Sequence, residues 1–469
     1  MEAPELKKLA RWSLKQGVAT NGIEPYLFEH SGRGFRARTN VTPAKLLLSV
    51  PKSMLMNHVT ALKHAGLRVL AEDGAQFPPE VVLSLHLLIE KKLGEKSRFR
   101  AFIGSLPSYY TTPYYWGIEA KEMIRARSFD YKAELAVVEA TKSAVAAMYV
   151  RVVEALLKYA NDFPEFQTGL TEIEFAWAWS TVMTRSMFID IVYRHPQEAR
   201  GGGVGGTEDE DAYLPFTDLR PCYTLVPLAD LFNHSNDAKI DAKYNFKTSC
   251  YEFHVAESIP SNSIVKGDEV CICYGHHSNW KLLTQYGFAL ENNSADCVKL
   301  SLPELAQECE PSMFPLDATQ VKHVKETLQV HNLSSRPYHL VHIDGPSWGL
   351  VATLRILHGG KTQDEIHKSA LLALQDIPLA DLKREEAVWK SLVRVCKRRL
   401  SSLEDEGAKC IGDAHVGMVD SSPARMHRDQ AQEVLNAIRV YTDGKNRILR
   451  SILSFAERRA GQFLPSGIK

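Results

Sequence analysis

The sequence predicts an α+β protein: a β-rich module split by a helical insertion and followed by a helical domain. Three observations carry that expectation. Short apolar runs separated by turn residues fill 26–51 and return over 222–274, which is strand texture. Between them, over about 77–200, and again from 301 onward, apolar residues recur at three- and four-residue steps, which is helix texture. The 469 residues leave room for two or three domains at roughly 150 residues each.

The elements follow in order. Residues 1–25 open with a helix, since Leu6, Leu9, Trp12 and Leu14 lie at near-helical spacing and Gly17 can end the turn. Ser31-Gly32-Arg33-Gly34 reads as a tight turn, with 35–39 and 46–50 as short strands. Inside the insertion, 81–93 and 145–160 carry the strongest helical periodicity. Pro107 and Pro113 interrupt it within a tyrosine-rich loop, SLPSYYTTPYYW. A glycine run at 201–206, followed by Glu208, Asp209, Glu210 and Asp211, predicts a flexible surface loop over 201–212. It lacks the Gly-Lys-Ser/Thr of a phosphate cradle. KGDEVCICYG reads as a turn and a buried strand, with Cys271 and Cys273 as small apolar residues on one face. Helices are expected over 317–330, 349–358, 364–374, 379–400 and 428–459, making 301–460 an all-helical domain.

Composition narrows the function classes. With 56 Lys+Arg against 56 Asp+Glu, the chain lacks the basic footprint of a nucleic-acid-coating protein. No apolar stretch approaches the roughly 18–20 residues of a membrane helix. The N-terminus lacks the apolar core of a secretory signal, so nucleus or cytoplasm is the expected location. The eight cysteines form no CxxC pair, and no HExxH is present, so no metal site is expected.

Four segments hold candidate chemistry. The first is Ser31-Gly32-Arg33-Gly34-Phe35, where paired glycines let backbone approach a ligand closely. The second is Met183-Thr184-Arg185-Ser186, at the end of a helix. The third is PLADLFNHS, which puts Asp230, Asn233 and His234 within five positions behind an apolar run. The fourth is EVCICYG, ending on Tyr274-Gly275, followed by LLTQYGF with Tyr286-Gly287-Phe288.

This ordered set resembles the SET-domain protein methyltransferases, in the split-SET branch that includes the Rubisco large-subunit lysine methyltransferase. The resemblance spans about 26–300 in specific motifs and 301–460 only in length and helicity. It implies a pseudoknotted β-rich SET domain, S-adenosylmethionine as cofactor, and methyl transfer to a lysine of a histone or another protein. Asn233 and His234 match the pair that holds the adenine and amino-acid ends of the cofactor. Arg185 matches the arginine on its carboxylate, and Asp230 a polar position beside it. The backbone of Gly32, Arg33 and Gly34 matches the turn that touches the cofactor. Tyr274 matches the active-site tyrosine, and Tyr286 one lining the target-lysine channel. Relatives often carry an acidic residue where Ser31 stands and an apolar one at Arg33. The cysteine-rich post-SET zinc motif is absent, so the helical domain is expected to complete the channel and bind substrate. A monomer is expected. Two alternatives stay open: a histidine acceptor, as in one relative of the branch, and a non-catalytic module that keeps the fold.

Overall fold

The computed structural model describes residues 4–72, 77–189, 222–258, 260, 264–309, 318–334, 338–413 and 428–463. The expected loop over 201–212 lies outside them. The chain divides into two compact units. One is drawn from 1–115 and 138–276, the other from Trp116–Val137, 277–422 and 426–469.

The first unit opens with the helix Pro4–Lys15, which buries Leu6, Leu9 and Ser13 and turns Leu14 to solvent. Gly17 follows at φ +88°, a conformation that costs glycine nothing. Three small antiparallel sheets come next. Leu46–Pro51 lies between Ala19–Thr20 and Cys250–Val255, which in turn pairs with Ile240–Asn245. Gly32–Ala37 lies between Ile23–Phe28 and Glu269–Val270. Cys222–Leu225 lies between Met56–Asn57 and Met187–Ile189. These strands come from both sides of the insertion, so the β-rich module closes only after the helices have been threaded in sequence. Phe35, Phe232 and Phe253 are buried side by side, with ring centroids 4.5 and 5.0 Å apart, and they join two of the sheets to the Asn-His segment.

The insertion supplies the helices Pro79–Leu93 and Glu172–Arg185, which pack on each other. Glu172–Arg185 begins in a capping box, with Thr171 Oγ1 accepting from Glu174 N at 3.3 Å and Glu174 Oε2 accepting from Thr171 N at 2.9 Å. The helix ends on Arg185, because Ser186 turns to an extended conformation at φ −71°, ψ 142°.

Two expectations need correction here. The buried strand read from KGDEVCICYG is only Glu269–Val270 plus a single bridge at Ile272, and Cys273 is exposed. Position 272 bonds to the Asn-His segment instead of to a sheet, which removes the neighbour a longer strand needs.

The second unit is also not wholly helical. Val298–Ser301, Tyr338–His342 and Gly345–Pro346 form an antiparallel sheet. Val298, Leu300 and Val341 enter the same core as Leu350, Leu354, Trp389 and Ile452. The helix Ile118–Arg127 and the first turns of Tyr131–Lys158, which the periodicity assigns to the insertion, belong to this unit. They pack on the long helices Leu382–Asp413 and Arg428–Gly461. Among the described residues, no helix is long and apolar enough to cross a membrane.

Candidate active site

The PLADLFNHS segment begins with a strained turn. Leu228 sits at φ +74°, ψ −45°, a region that costs a branched residue on the order of 1–3 kcal/mol. Burial of Leu228 and a one-turn helix, Ala229–Leu231, hold it there. The turn aims Asp230 back at the end of Glu172–Arg185, where Arg185 Nη1 donates to Asp230 Oδ2 at 2.9 Å and to its carbonyl at 3.0 Å. Asp230 is 3% and Arg185 22% exposed, so this ion pair is largely desolvated. Burial pushes the Asp230 carboxyl above its ordinary value, against the pull of Arg185. Burial opposes the charge on Arg185 too, but Asp230, Tyr110 and Tyr274 outweigh it and keep the guanidinium protonated.

The pair is incomplete in a telling way. Arg185 Nε and Asp230 Oδ1 are buried without a hydrogen-bond partner among the described residues. A buried donor and a buried acceptor left unmade cost about 1–3 kcal/mol each. A ligand with a carboxylate or an ammonium relieves that cost, so these residues fit the amino-acid end of S-adenosylmethionine.

Arg33 reaches the same cluster from the strand Gly32–Ala37. Its Nη1 donates to the Ser105 carbonyl. Burial, then the charge of Arg185, lowers its pKa. Tyr110, from the tyrosine-rich loop, donates to Thr181 Oγ1 at 2.8 Å and is held neutral by burial.

The Asn-His segment runs parallel to the segment ending on Tyr274. Ile272 N donates to Asn233 O at 2.9 Å, and Ser235 N to Ile272 O at 3.1 Å. Tyr274 N donates to His234 Nδ1 at 3.1 Å, which fixes the imidazole as an acceptor at that atom. The Tyr274 hydroxyl donates to Phe232 O at 2.6 Å, and its ring lies 5.1 Å from that of His234. Asn233 Nδ2 donates to the carbonyls of Ser31 and Arg33, at 3.2 and 3.1 Å, and so ties the start of the strand Gly32–Ala37 to the same place. Gly32, Arg33 and Gly34, read in the sequence as part of a tight turn, are strand residues paired with Phe28, Leu27 and Tyr26, and the turn itself ends at Ser31.

Eight of the nine residues singled out in the sequence therefore lie in one unit and converge: Gly32, Arg33, Gly34, Arg185, Asp230, Asn233, His234 and Tyr274. The ninth, Tyr286, ends the helix Asn279–Tyr286 of the second unit, its ring 6.2 Å from that of His277. Two participants had no signal of their own. Glu269 was one acidic residue in a turn, and Tyr110 one tyrosine among several in its loop. Among the described residues, no group of three or more His, Cys, Asp or Glu side chains gathers in a way that could hold a metal.

Comparison with known proteins bears on this geometry. No family model matches the chain. SET domain-containing protein 4 of Mus musculus is 24% identical over 361 residues, covering 75% of this chain and 72% of the relative. The protein of that name from Artemia parthenogenetica is 24% identical over 402 residues, covering 84% and 86%. Actin-histidine N-methyltransferase of Rhinolophus ferrumequinum is 28% identical over 302 residues, covering 63% of this chain and 44% of the relative. Among solved structures, Rubisco LSMT bound to sinefungin and monomethyllysine is similar at a TM-score of 0.65 and 18% identity, covering 98% of this chain and 93% of that one. The SET domain of LSMT bound to lysine and AdoHcy gives 0.64 at the same identity and coverage. The chain has the SET-domain fold, and SET domain-containing protein 4 is among its relatives, as the motifs led one to expect.

Proposed function

From the SET fold and relatives named SET domain-containing protein 4, we propose that the chain is a protein-lysine N-methyltransferase using S-adenosylmethionine. The observation that carries this reading is the fixed Tyr274: its hydroxyl donates to Phe232 O at 2.6 Å and its backbone to His234 Nδ1 at 3.1 Å, beside Asn233. Bound, the cofactor supplies a methyl group on a sulfonium, an electrophile for in-line displacement. The buried Arg185 Nε offers the cofactor's carboxylate a donor, and Asp230 holds that guanidinium in place. The Gly32-Arg33-Gly34 backbone and the Asn233-His234 pair border the rest of the cofactor.

Tyr274 commits its only hydroxyl hydrogen to Phe232 O. A phenol oxygen that donates its hydrogen can still accept, and in this reading it accepts from the substrate amine, which aligns the nitrogen lone pair with the methyl group. Holding the two reactants in near-attack geometry is worth several kcal/mol, with a ceiling of roughly 7–11. The amine must be neutral, and at pH 7 that costs a free lysine about 4.6 kcal/mol. Desolvation of the amine in an aromatic channel reduces this cost because burial disfavours the ammonium.

A second reading has its own support. Relatives named actin-histidine N-methyltransferase are 28% identical over nearly two thirds of the chain. A histidine acceptor, with an ordinary pKa of about 6.5, is already largely neutral at pH 7.

Incubating the full chain with labelled S-adenosylmethionine and a cell extract, then locating the label by mass spectrometry, tests both readings. Label on lysine supports the first and label on histidine the second; no label on any protein defeats both. Tyr274→Phe is expected to keep cofactor affinity by calorimetry while methyl transfer falls about a hundredfold, the penalty for a misplaced nucleophile. We place the action on a protein substrate in nucleus or cytoplasm, with the chain acting as a monomer. Sedimentation and imaging of the tagged chain check those two points.

A further inference from the structure

Glu269 joins three parts of the site. It stands in the strand Glu269–Val270, opposite Arg36 of Gly32–Ala37. Its Oε1 accepts from Asn233 Nδ2 at 2.7 Å, and its Oε2 accepts from Ser31 Oγ at 2.7 Å. The same Asn233 nitrogen also lies 3.2 Å from Ser31 O and 3.1 Å from Arg33 O. All three neighbours of that atom are therefore acceptors. Only the nitrogen end of an amide can face three oxygens, so the orientation of Asn233 is decided by chemistry. Asn233 Oδ1 is left facing the other way and accepts no hydrogen bond from a described residue. Gly34 closes the arrangement from the side: a Cβ there would stand 2.6 Å from Glu269 Oε1 and 3.0 Å from Asn233 Nδ2.

We propose that Glu269 is a positioning residue for the cofactor. Its carboxylate turns the Asn233 amide so that Oδ1 is presented to the α-ammonium of S-adenosylmethionine. The inference rests on the cofactor reading above and adds to it which end of the cofactor depends on Glu269, and through which atom. A carboxylate suits the task because it accepts from Asn233 and Ser31 at once, each bond charge-assisted. Its negative charge, one side chain removed from the ammonium, acts in the same direction. Ser31 is the donor that holds this carboxylate in place.

The test compares two ligands that differ at the amino-acid end. S-adenosylhomocysteine carries the α-ammonium, and 5′-methylthioadenosine lacks it. Calorimetry on the full chain is expected to show Glu269→Ala weakening S-adenosylhomocysteine about tenfold or more. The affinity for 5′-methylthioadenosine should change less than about twofold, because no contact to the ammonium is lost. Glu269→Gln, which keeps an acceptor for Asn233, should recover most of the loss. Unchanged binding of S-adenosylhomocysteine, or equal loss of both ligands, overturns the proposal. If Glu269→Ala gives no cooperative melt, Glu269→Asp carries the test. It keeps the charge but is too short to reach both partners, so a selective loss of about threefold is expected and equal affinities overturn the proposal. Failure of the unaltered chain to bind S-adenosylhomocysteine would instead defeat the cofactor reading itself.

Discussion

Gly34 shows how closely single residues are constrained at the site. Its neighbours leave no room for a side chain: besides Glu269 and Asn233, Phe28 Cε2 would lie 3.2 Å from a Cβ. Gly32 is different, because nothing lies near it and its φ of +70° alone calls for glycine. Gly34→Ala is therefore expected to destabilise the fold by about 1–3 kcal/mol, as overpacking does. It should also weaken cofactor binding by pushing Asn233 off its acceptors. Urea melts and calorimetry check both effects, and unchanged values in both would contradict the packing described.

The paired glycines were legible in the sequence, but the two reasons for them were not. One reason is a backbone angle. The other is a carboxylate that arrives from a residue far along the chain.

At the scale of elements, buried polar groups decide stability as much as apolar faces do. In the second unit the helix Trp348–Leu357 presents Arg355, 3% exposed, to Glu385, 1% exposed, on Leu382–Asp413. Glu385 also accepts from Leu379 N at 2.9 Å and from Trp389 Nε1 at 3.2 Å. Removing Glu385 leaves the buried Arg355 with only the exposed carboxylate of Asp376, at 2.9 Å, so Glu385→Ala should cost about 3 kcal/mol in a urea melt. A loss below 1 kcal/mol, the ordinary surface value, would refute this account.

One turn further on, His358 donates to or accepts from Ser391 Oγ at 2.9 Å and is fully buried. Burial, and then the charge of Arg394, lowers its pKa from 6.5 to about 4. The unfolded chain therefore takes up this proton first as pH falls. The contribution of His358 is complete above about pH 6.5 and declines toward pH 4, by up to about 3 kcal/mol. Unfolding midpoints at pH 7 and pH 5 should differ less in His358→Gln than in the unaltered chain.

For the whole molecule, the division into units departs from the order of the sequence. Residues 116–137 precede half of the first unit in the chain yet complete the core of the second. Ile124 is fully buried there. Asp130 and Glu134 receive Lys445 Nζ, each at 2.8 Å, and Asp130 also pairs with Arg399 at 3.2 Å. Tyr441 donates to Glu134, and burial, then the charge of Glu134, holds that phenol well above its ordinary pKa. A chain cut after residue 300 keeps the two acids but loses Arg399, Tyr441 and Lys445. It is expected to aggregate, or to melt without cooperativity by calorimetry. A soluble fragment with a sharp transition would show that 116–137 does not need the second unit.

The sequence by itself determined the α+β class, the split of the β-rich module by helices, and the local chemistry of four short motifs. Each of these depends on near neighbours: a periodicity of two or 3.6, and polar residues or glycines a few positions apart within one motif. What only the tertiary structure decided were the relations across long stretches of chain. These are the convergence of Arg185 on Asp230, the carboxylate of Glu269 behind Asn233, the membership of 116–137 in the second unit, and the sheet within a domain read as helical. The physical reason is the same in each case. A buried charge or a paired strand acquires its role from the partner that satisfies it, and a residue's neighbours in sequence do not name that partner.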